Sequence, residues 1–389
     1  MCKTYSLLKF ILLNVLFLSS YISLLAQSKY RGMPKHEEID IAQFFLVDNY
    51  ELRGQLPDTL QYKLQQTISE LFVNQNIAGL SVTMFTPKGQ WQTTMGYANK
   101  PNKQFADSST VFYWASVCKL VTATIIMQLI NEKKIKSNSK LSKWYPKFSN
   151  AKKITISNLL THTSGIYSFN SDSNFHNSSS YHTPDELLAI ALAKENLFKP
   201  NEYWSYSNTG YLLLALIAQK IENKSFAQIV QERIAIPFGL QSLKVLMPNE
   251  ITNNLAQAHS GDSIVCRNYA TPLGAGNIVC NSYDMAKLLY ILLSGQLLPK
   301  TSLQTMLSDL YPMFGGTQQY YGRGVMVYNF KAIDSTSNLW LGHSGGTENY
   351  KAILAYDVKT KAIIAIAIND NVSAEAMAYN LFAILRGED

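Results

Sequence analysis

The segment from Trp114 to Ala123 places a hydroxyl and an amine three residues apart at the start of an apolar run. If the chain is helical from residue 116 onward, Ser116 and Lys119 lie on one face about one turn apart, so that the amine can contact the hydroxyl. The helix N-terminus carries a partial positive charge, which favours a neutral lysine and a developing oxyanion. A serine hydroxyl is a poor nucleophile unless a neighbouring group activates it. The spacing therefore indicates acyl transfer.

The same Ser-x-x-Lys spacing also starts at Ser6, Ser137 and Ser149. Ser6 lies in an N-terminal segment typical of targeting, and the other two lie in polar, lysine-rich stretches typical of solvated loops. Only Ser116 leads into an apolar run, residues 120–130, that is long enough for a buried helix. The alternative is that Ser116 merely starts the helix and Lys119 lies at the surface with its stem covered. Other motifs must decide between the two interpretations.

The N-terminus indicates export. Residues 1–26 contain Lys3 and Lys9, no acidic residue, an apolar core over residues 10–18, and end at Ala26. This pattern predicts a signal peptide cleaved after Ala26 and hence a periplasmic or extracellular protein; a retained N-terminal membrane anchor is the alternative. No later stretch is apolar over a membrane-spanning length, so no stable membrane span is expected after cleavage.

Composition restricts the classes of partner and cofactor. The 389 residues carry a formal net charge of +7 without a dense basic block, so nucleic-acid binding is not expected. Outside the predicted signal peptide the cysteines are Cys118, Cys266 and Cys280. Cys266 and Cys280 could pair, although their spacing does not require it, and no Cys/His spacing is typical of zinc. We expect Cys118 to be a buried filler, no metal or cofactor, and a small-molecule or peptide substrate; the oligomeric state stays open.

Hydrophobic periodicity predicts an α+β fold. Helices are expected over residues 58–74, 116–130, 155–165, 184–193, 211–221, 226–235, 282–293 and 374–385, and strands over 80–85, 91–95, 324–330, 348–357 and 362–369. Both chain ends then form one antiparallel sheet flanked by the N- and C-terminal helices, with a mainly helical domain inserted. The predicted division is an N-terminal arm (27–57), the sheet domain (58–130 and 310–389) and the inserted domain (131–309). A ligand cleft is expected where the two domains meet, and residues 168–182 are predicted to form an exposed loop near it.

Three further motifs accompany Ser116. Tyr206-Ser207-Asn208 presents a phenol and an amide just before an apolar helix, and His343-Ser344-Gly345-Gly346 is expected to precede a strand, where small residues let backbone lie beside a ligand. Gly274-Ala275-Gly276 could shape a site wall or form a tight turn. Tyr97-x-Asn99 and His259-x-Gly261 repeat the first two strings, but one follows a hairpin strand and the other lies in a polar loop.

The segment Gly342-His343-Ser344-Gly345-Gly346 also matches the Gly-x-Ser-x-Gly nucleophile elbow of α/β hydrolases, with Ser344 as the nucleophile. That elbow requires a strand-to-helix turn, and its acid and histidine partners follow the serine in the chain. Here a strand is predicted after Ser344, and no histidine follows His343. These requirements disfavour the elbow.

The ordered set Ser116-x-x-Lys119, Tyr206-x-Asn208 and His343-x-Gly345 resembles the three-motif signature of the penicillin-recognising serine hydrolases, in the branch with class C β-lactamases, D,D-peptidases and related esterases. The resemblance covers roughly residues 60 to 385 and includes the Leu-Leu-Thr-His-Thr-Ser-Gly segment at 159–165. It is specific for the family and much less so for the substrate.

By that resemblance, Ser116 is the acylated nucleophile, Lys119 its proton acceptor, and Tyr206 shares the proton transfers as a phenolate held by lysine charge. Asn208 would bind the substrate amide, and the backbone N–H groups of Ser116 and Gly346 would form the oxyanion hole. His343, with Ser344, Gly345 and Gly346, would line the substrate site.

The third motif departs from the Lys-Thr-Gly of class C β-lactamases, since His343-Ser344-Gly345 stands in its place. A histidine there is familiar from D,D-peptidases and esterase-like members, which argues against an efficient β-lactamase. His343 is expected to titrate near neutral pH beside a substrate carboxylate. The interpretation is an exported D,D-peptidase-like or amide/ester hydrolase with possible weak β-lactam hydrolysis. The alternatives are a β-lactamase proper, a penicillin-binding sensor or a non-catalytic binding protein.

Overall fold

A computed structural model describes residues 30–31, 44, 52, 54–176, 179–248, 250, 252, 254–316, 318–330 and 339–387. The predicted signal peptide and most of the predicted N-terminal arm lie outside the described residues. Within the described part, no helix combines the length and apolarity that a membrane crossing requires.

One antiparallel sheet of nine strands dominates the molecule. We number its strands along the chain, and their spatial order is β4-β5-β6-β7-β8-β9-β1-β2-β3. The bounds are β1 Gly79–Thr86, β2 Gly89–Asn99, β3 Gln104–Phe105, β4 Tyr311–Pro312, β5 Gln319–Tyr321, β6 Met326–Asn329, β7 Leu339–Gly346, β8 Lys351–Asp357 and β9 Ala362–Ile368. Smaller pairings join Ile278–Cys280 to Phe112–Tyr113 on one side and to Lys244–Val245 on the other, Tyr30–Arg31 to Tyr203–Trp204, and His259–Ser260 to Ser263–Ile264.

Helices cover both faces of the sheet and fill the middle of the chain. They are α1 Asp58–Asn74, α2 Cys118–Asn131, α3 Ile156–Leu160, α4 Ser173–His176, α5 Pro184–Leu192, α6 Asn208–Glu222, α7 Phe226–Val230, α8 Ile236–Phe238, α9 Ser282–Leu293, α10 Lys300–Leu307 and α11 Ala374–Arg386. A π-helical stretch, Gln231–Ala235, joins α7 to α8, and four 3₁₀ turns lie at Ala115–Val117, Leu141–Lys143, Phe169–Ser171 and Met313–Gly315.

The central strands are buried on both faces. On β8, Ile353 and Ala355 pack into the core that holds α1 and α11, whereas Leu354 and Tyr356 face the larger core on the other side. Every residue of β8 and β9 is buried, and apart from Lys351 and Asp357 at the ends of β8 the two strands lack the alternating polar residues of a half-exposed strand. The predicted α+β fold, an antiparallel sheet flanked by the terminal helices, is confirmed.

Helix α2 runs through the larger core, and eleven of its fourteen residues are buried. It packs against α6, whose inward residues are also buried. A helix that is apolar on nearly all sides must lie inside a protein. The predicted apolar run after Ser116 is therefore a core element that holds the start of the helix in place.

Most predicted elements agree with the structure, and three details differ. The short helix at 155 ends at Leu160, because His162 takes a left-handed conformation with φ +61° before Gly165 is reached. The third motif precedes strand β8 as predicted, but it also forms the end of a strand of its own, β7. The loop at 168–182 begins buried, since the Ser168 side chain and Phe169 lie inside the protein. Cys266 and Cys280 are free, and Cys118 is buried as predicted.

Candidate active site

Ser116 lies in the 3₁₀ turn that joins the short strand Phe112–Tyr113 to helix α2. The preceding residue, Ala115, is buried and adopts φ +45°. An alanine rarely occupies this left-handed region, which costs on the order of 1–3 kcal/mol and persists only where the surroundings impose it. Here the backbone N–H of Trp114 donates to Ile278 O, and its indole N–H donates to Cys280 O. The strained turn presents Ser116 at the helix N-terminus.

Lys119 lies one turn further along α2 and is fully buried. Its Nζ lies 3.0 Å from Ser116 Oγ and 2.6 Å from the carbonyl oxygen of Ala275. Burial lowers the pKa of the Lys119 amine to about 7, with the neighbouring Cys118 thiol acting weakly in the opposite direction. No carboxylate among the described residues pairs with this amine to restore the charge. A large fraction of Lys119 is therefore neutral near pH 7 and able to accept a proton.

Tyr206 covers the other side of the amine. Lys119 Nζ lies 4.9 Å from the centre of the Tyr206 ring, and the phenol is hydrogen-bonded to Ser116. Burial raises the pKa of Tyr206, and the hydrogen bond to Ser116 offsets only part of this rise. The phenol is thus protonated at neutral pH. The expected phenolate is wrong for the unliganded protein, because burial outweighs the nearby lysine.

Asn208 starts helix α6 beside Tyr206. Its backbone N–H donates to Ser168 Oγ at 2.8 Å, so the buried start of the 168–182 segment fixes this turn. Its side-chain Oδ1 is buried without a hydrogen-bond partner among the described residues. A buried amide oxygen without a partner is costly unless a ligand supplies a donor. The structure therefore leaves Asn208 ready to accept an N–H group.

The side chain of His343 is completely buried. Its Nδ1–H donates to Ser344 O at 2.6 Å, and its Nε2 lies 3.1 Å from the Tyr321 hydroxyl, which donates to the Tyr211 hydroxyl. Complete burial and the charge of Lys119 lower the pKa of His343 to about 3. The expectation that His343 titrates near neutral pH is therefore wrong. The imidazole is neutral and held by strand β5.

Gly345 lies against the backbone of Trp114 and Ser116. A Cβ atom at this position would lie 2.2 Å from Trp114 O and 2.9 Å from Ser116 N, so only glycine fits. Strand β6 pairs with β7 only as far as Gly342, whereas β8 pairs with it through Gly346. Among the described residues, the β7 edge from 343 to 346 has no strand partner on the side of Ser116. An extended substrate could pair with this edge.

Ser344 faces the opposite side of β7. Its hydroxyl contacts Met326 Sδ at 3.7 Å and is hydrogen-bonded to the buried side chains of Tyr328 and Glu375. Strand β8 follows, not a helix. The strand-to-helix turn that a nucleophile elbow requires is absent at this described position, so the geometry does not support Ser344 as the nucleophile.

The structure thus brings Ser116, Lys119, Tyr206 and Asn208 together with the backbone of β7. It also adds groups that the sequence motifs did not assign. Ala275 O accepts from Lys119, which makes the Gly274-Ala275-Gly276 segment a wall of the site. Tyr321, which no motif marked, holds His343. The Leu-Leu-Thr-His segment, which by sequence supports only the family resemblance, contributes His162 beside Tyr206.

Comparisons with known proteins agree with this geometry. The family model described as Beta-lactamase matches residues 64–388. The putative penicillin-binding protein PbpX of Bacillus subtilis is 27% identical over 296 residues, which is 72% of this chain and 72% of that protein. The teichoic acid D-alanine hydrolase of Staphylococcus aureus is 26% identical over 304 residues, or 75% of this chain and 71% of that protein.

Solved structures share the fold. The D-amino acid amidase of Ochrobactrum anthropi SV3, complexed with D-phenylalanine, superposes with a TM-score of 0.77 at 21% identity over 85% of this chain and 100% of that chain. A penicillin-binding protein from Bacillus halodurans superposes with a TM-score of 0.71 over 82% of this chain. The fold and the family match define a serine hydrolase. The chain belongs to the Beta-lactamase family, together with penicillin-binding-protein homologues.

Proposed function

We propose that this protein hydrolyses amide or ester bonds of small D-amino-acyl compounds through an acyl-enzyme on Ser116. The observation that carries the proposal is the 3.0 Å contact between Ser116 Oγ and the buried amine of Lys119, whose pKa is about 7. General bases work best when their pKa lies near the operating pH. An ordinary surface lysine would be charged and unable to act in this way.

The acylation step follows from the positions of these groups. Ser116 Oγ attacks the substrate carbonyl carbon while its proton passes to Lys119 Nζ. The carbonyl oxygen becomes an oxyanion, for which the backbone N–H groups of Ser116 and Gly346 are the proposed donors; one such donor is typically worth about 3 kcal/mol. The N-terminus of α2 adds a favourable dipole.

Collapse of the tetrahedral intermediate breaks the bond to the leaving group, which must receive a proton. Tyr206 is protonated in the free protein and hydrogen-bonded to Ser116. We assign it the role of relay: its phenolic proton goes to the leaving amine or alcohol, and the Lys119 ammonium reprotonates the phenolate. Water then attacks the acyl carbon while the neutral Lys119 takes its proton; the bond to Ser116 Oγ breaks, and the Lys119 ammonium returns the proton to Oγ, which releases the acid. The side chains supply every proton transfer in this sequence.

Substrate binding is assigned to the residues around Ser116. Asn208 would accept the substrate's amide N–H at its unpaired Oδ1, and the open edge of β7 with Gly345 and Gly346 would pair with an extended substrate. His343 and Ser344 would shape this edge from within, since both side chains are engaged inside the protein.

The choice of D-amino-acyl substrates is supported by the relatives, whose names include a teichoic acid D-alanine hydrolase, a D-amino acid amidase and penicillin-binding proteins. A muropeptide ending in D-Ala-D-Ala is one member of this substrate class, and its location outside the cytoplasm fits the export that residues 1–26 predict. Weak β-lactam hydrolysis is a side reaction of the same acyl-enzyme chemistry.

Intact-mass spectrometry tests the proposal. The protein is exposed separately to a penicillin and to a fluorophosphonate, and Ser116→Ala is compared with the matched control Ser344→Ala. We expect an adduct that only Ser116→Ala abolishes. Labelling that survives in Ser116→Ala and disappears in Ser344→Ala would instead establish the elbow interpretation.

Turnover separates the remaining alternatives. The p-nitroanilides of D-alanine and L-alanine are followed by absorbance, with nitrocefin as the β-lactam. Faster release from the D-anilide supports the proposed function, and preferential turnover of nitrocefin indicates a β-lactamase proper. A stable penicillin adduct without turnover indicates a sensor, and neither adduct nor turnover indicates a non-catalytic binding protein.

A further inference from the structure

His162 follows helix α3 in the Thr161-His162-Thr163 turn and has no role in the proposed proton transfers. Only 1% of its surface is exposed, and it adopts φ +61°, a left-handed conformation that is uncommon for residues other than glycine. Strain of this kind, at a buried residue beside an active site, requires contacts that impose it.

Those contacts enclose Tyr206. The carbonyl oxygen of His162 accepts from Ser205 N–H at 3.0 Å, and its ring Nδ1 accepts from Ser207 N–H at 3.1 Å. The His162 ring also lies against the Tyr206 ring, with centroids 4.3 Å apart and planes inclined by 39°. One residue therefore binds the backbone on both sides of Tyr206 and packs on its side chain.

The bond to Ser207 determines the protonation of the imidazole. Because Nδ1 accepts a hydrogen bond, the ring must be neutral with its proton on Nε2. Burial, together with the charge of Lys119, holds the pKa of His162 well below its usual value, which agrees with a neutral ring. The Nε2 atom is buried without a hydrogen-bond partner among the described residues. An unpaired buried polar atom is costly, so the other contacts of His162 must outweigh the cost of leaving Nε2 without a hydrogen bond.

We propose that His162 is a positioning residue that clamps Tyr206 over Lys119 and Ser116. The inference rests on the proposed function, because it assigns His162 to the placement of the proton relay. The left-handed turn is what allows one residue to contact Ser205 through its main chain and Ser207 through its ring. Without the clamp, the segment carrying Tyr206 can shift, and a displacement of about 1 Å can cost on the order of 100-fold in rate.

Two variants separate the contribution of the His162 ring from that of its Nδ1 hydrogen-bond acceptor. His162→Asn keeps an acceptor where Nδ1 stood and tolerates a positive φ, but loses the ring. His162→Phe keeps an aromatic ring against Tyr206 but leaves Ser207 N–H without its acceptor. The measurement is the rate constant for acylation of the full-length protein by a penicillin at saturation, alongside the concentration that gives half the maximal rate.

We expect His162→Phe to lower the saturating acylation rate about 10- to 100-fold and His162→Asn about 3- to 10-fold, with the half-saturating concentration changed less than threefold. The smaller loss in the asparagine variant is rescue by the retained acceptor. Thr163→Val is the matched control, because Thr163 is buried in the same turn and its hydroxyl bonds Asn158, Thr161 and Asn201, but not Ser205, Tyr206 or Ser207. It should lower thermal stability and leave the acylation rate within twofold.

A double-mutant cycle decides whether His162 acts through Tyr206. In a Tyr206→Phe background, adding His162→Asn should change the acylation rate less than twofold, since the relay is already lost. The same fold loss in both backgrounds would overturn the inference, as would acylation at the wild-type rate in both His162 variants. Failure of the proposed function looks different: the wild-type protein itself would not be acylated at Ser116, and the inference would fall with it.

Discussion

The lysines at the two ends of helix α2 lie in opposite electrostatic environments. At its N-terminal end Lys119 is fully buried without a carboxylate partner, and the pKa of its amine falls to about 7. Just beyond its C-terminal end, Lys134 lies near the surface between Glu132 and Glu222, and its pKa is raised by these two carboxylates. The same residue type is therefore a candidate base at one end and a fixed cation at the other.

The C-terminal end is a network of ion pairs. Arg233 contacts both oxygens of Glu132, at 2.6 and 3.0 Å, and Glu222 at 2.8 Å. These bonds hold the pKa of Glu132 at about 2. Glu222 ends helix α6, so the network joins the C-terminal ends of α2 and α6. The N-terminal ends of the same two helices carry Lys119 and Asn208.

The helix dipoles explain why each arrangement suits its end. An N-terminus disfavours a lysine's charge and favours an oxyanion, whereas a C-terminus favours cations such as Lys134 and Arg233. Desolvation without a counter-ion then makes Lys119 reactive, while paired charges hold the other end together. The N-terminal ends of α2 and α6 therefore carry the candidate reactive groups, and their C-terminal ends carry stabilising ion pairs. Each end can be tested separately.

The largest effect is expected from Lys119→Arg. Arginine stays protonated, so it cannot accept the Ser116 proton, and acylation should fall at least about 10³-fold. Time-resolved intact-mass measurement with a penicillin checks the result. Thermal melting of the variant shows whether the fold is retained, and an acylation rate within tenfold of wild type would remove Lys119 from the mechanism.

The pH dependence should follow the Lys119 amine. Below pH 7 a charged Lys119 cannot act as base, so kcat/KM for an uncharged substrate should rise about tenfold per pH unit between pH 5 and 6 and level off above about 7. His343 adds no inflection there, because its pKa is about 3. A profile that is flat between pH 5 and 8 would contradict the assignment of Lys119 as base.

Lys119→Met should make the protein more stable while abolishing acylation. The folded-state pKa of Lys119, about 7, lies below its ordinary value of 10.5. The unfolded chain therefore binds more protons between those values, and wild-type stability rises with pH across that window. Because one pKa unit corresponds to about 1.4 kcal/mol, this difference predicts that the variant gains about 5 kcal/mol at pH 6, and the gain should vanish near pH 11. Urea unfolding at both pH values measures it; a pH-independent difference would show that Lys119 is not desolvated.

The smallest effects are expected at the C-terminal end. Arg233→Met should cost about 1–2 kcal/mol, because it leaves the carboxylates of Glu132 and Glu222 facing each other. Lys134→Met is the matched control and should change the free energy of unfolding by less than about 0.5 kcal/mol, since its side chain is 45% exposed. Neither variant should alter acylation by more than twofold, and a larger loss would show that the two ends are coupled.

Several features of the site could be predicted from the sequence because they depend on local geometry. A spacing of three residues at a helix start places Ser116 and Lys119 on one face wherever the helix lies. The predicted α1 and α9 have the bounds seen in the structure, Asp58–Asn74 and Ser282–Leu293, because their apolar periodicity is unambiguous. The order of the motifs indicated the family, which the match over residues 64–388 shows.

Protonation states could not be predicted in this way. The family resemblance implies a charged Tyr206, and the ordinary pKa of histidine predicts a titrating His343, but burial decides both pKa values. Burial comes from residues distant in the chain: Tyr321 covers His343, and Ala275 O receives the Lys119 amine.

The sequence by itself therefore determined which residues are candidates to react and to which family the chain belongs, since a hydroxyl, an amine and a phenol at helix starts are local features. Only the tertiary structure decided that Lys119 has a pKa of about 7 and that His162 encloses Tyr206. The physical reason is that desolvation depends on every chain segment packed around a group, whereas helical spacing depends on one segment alone.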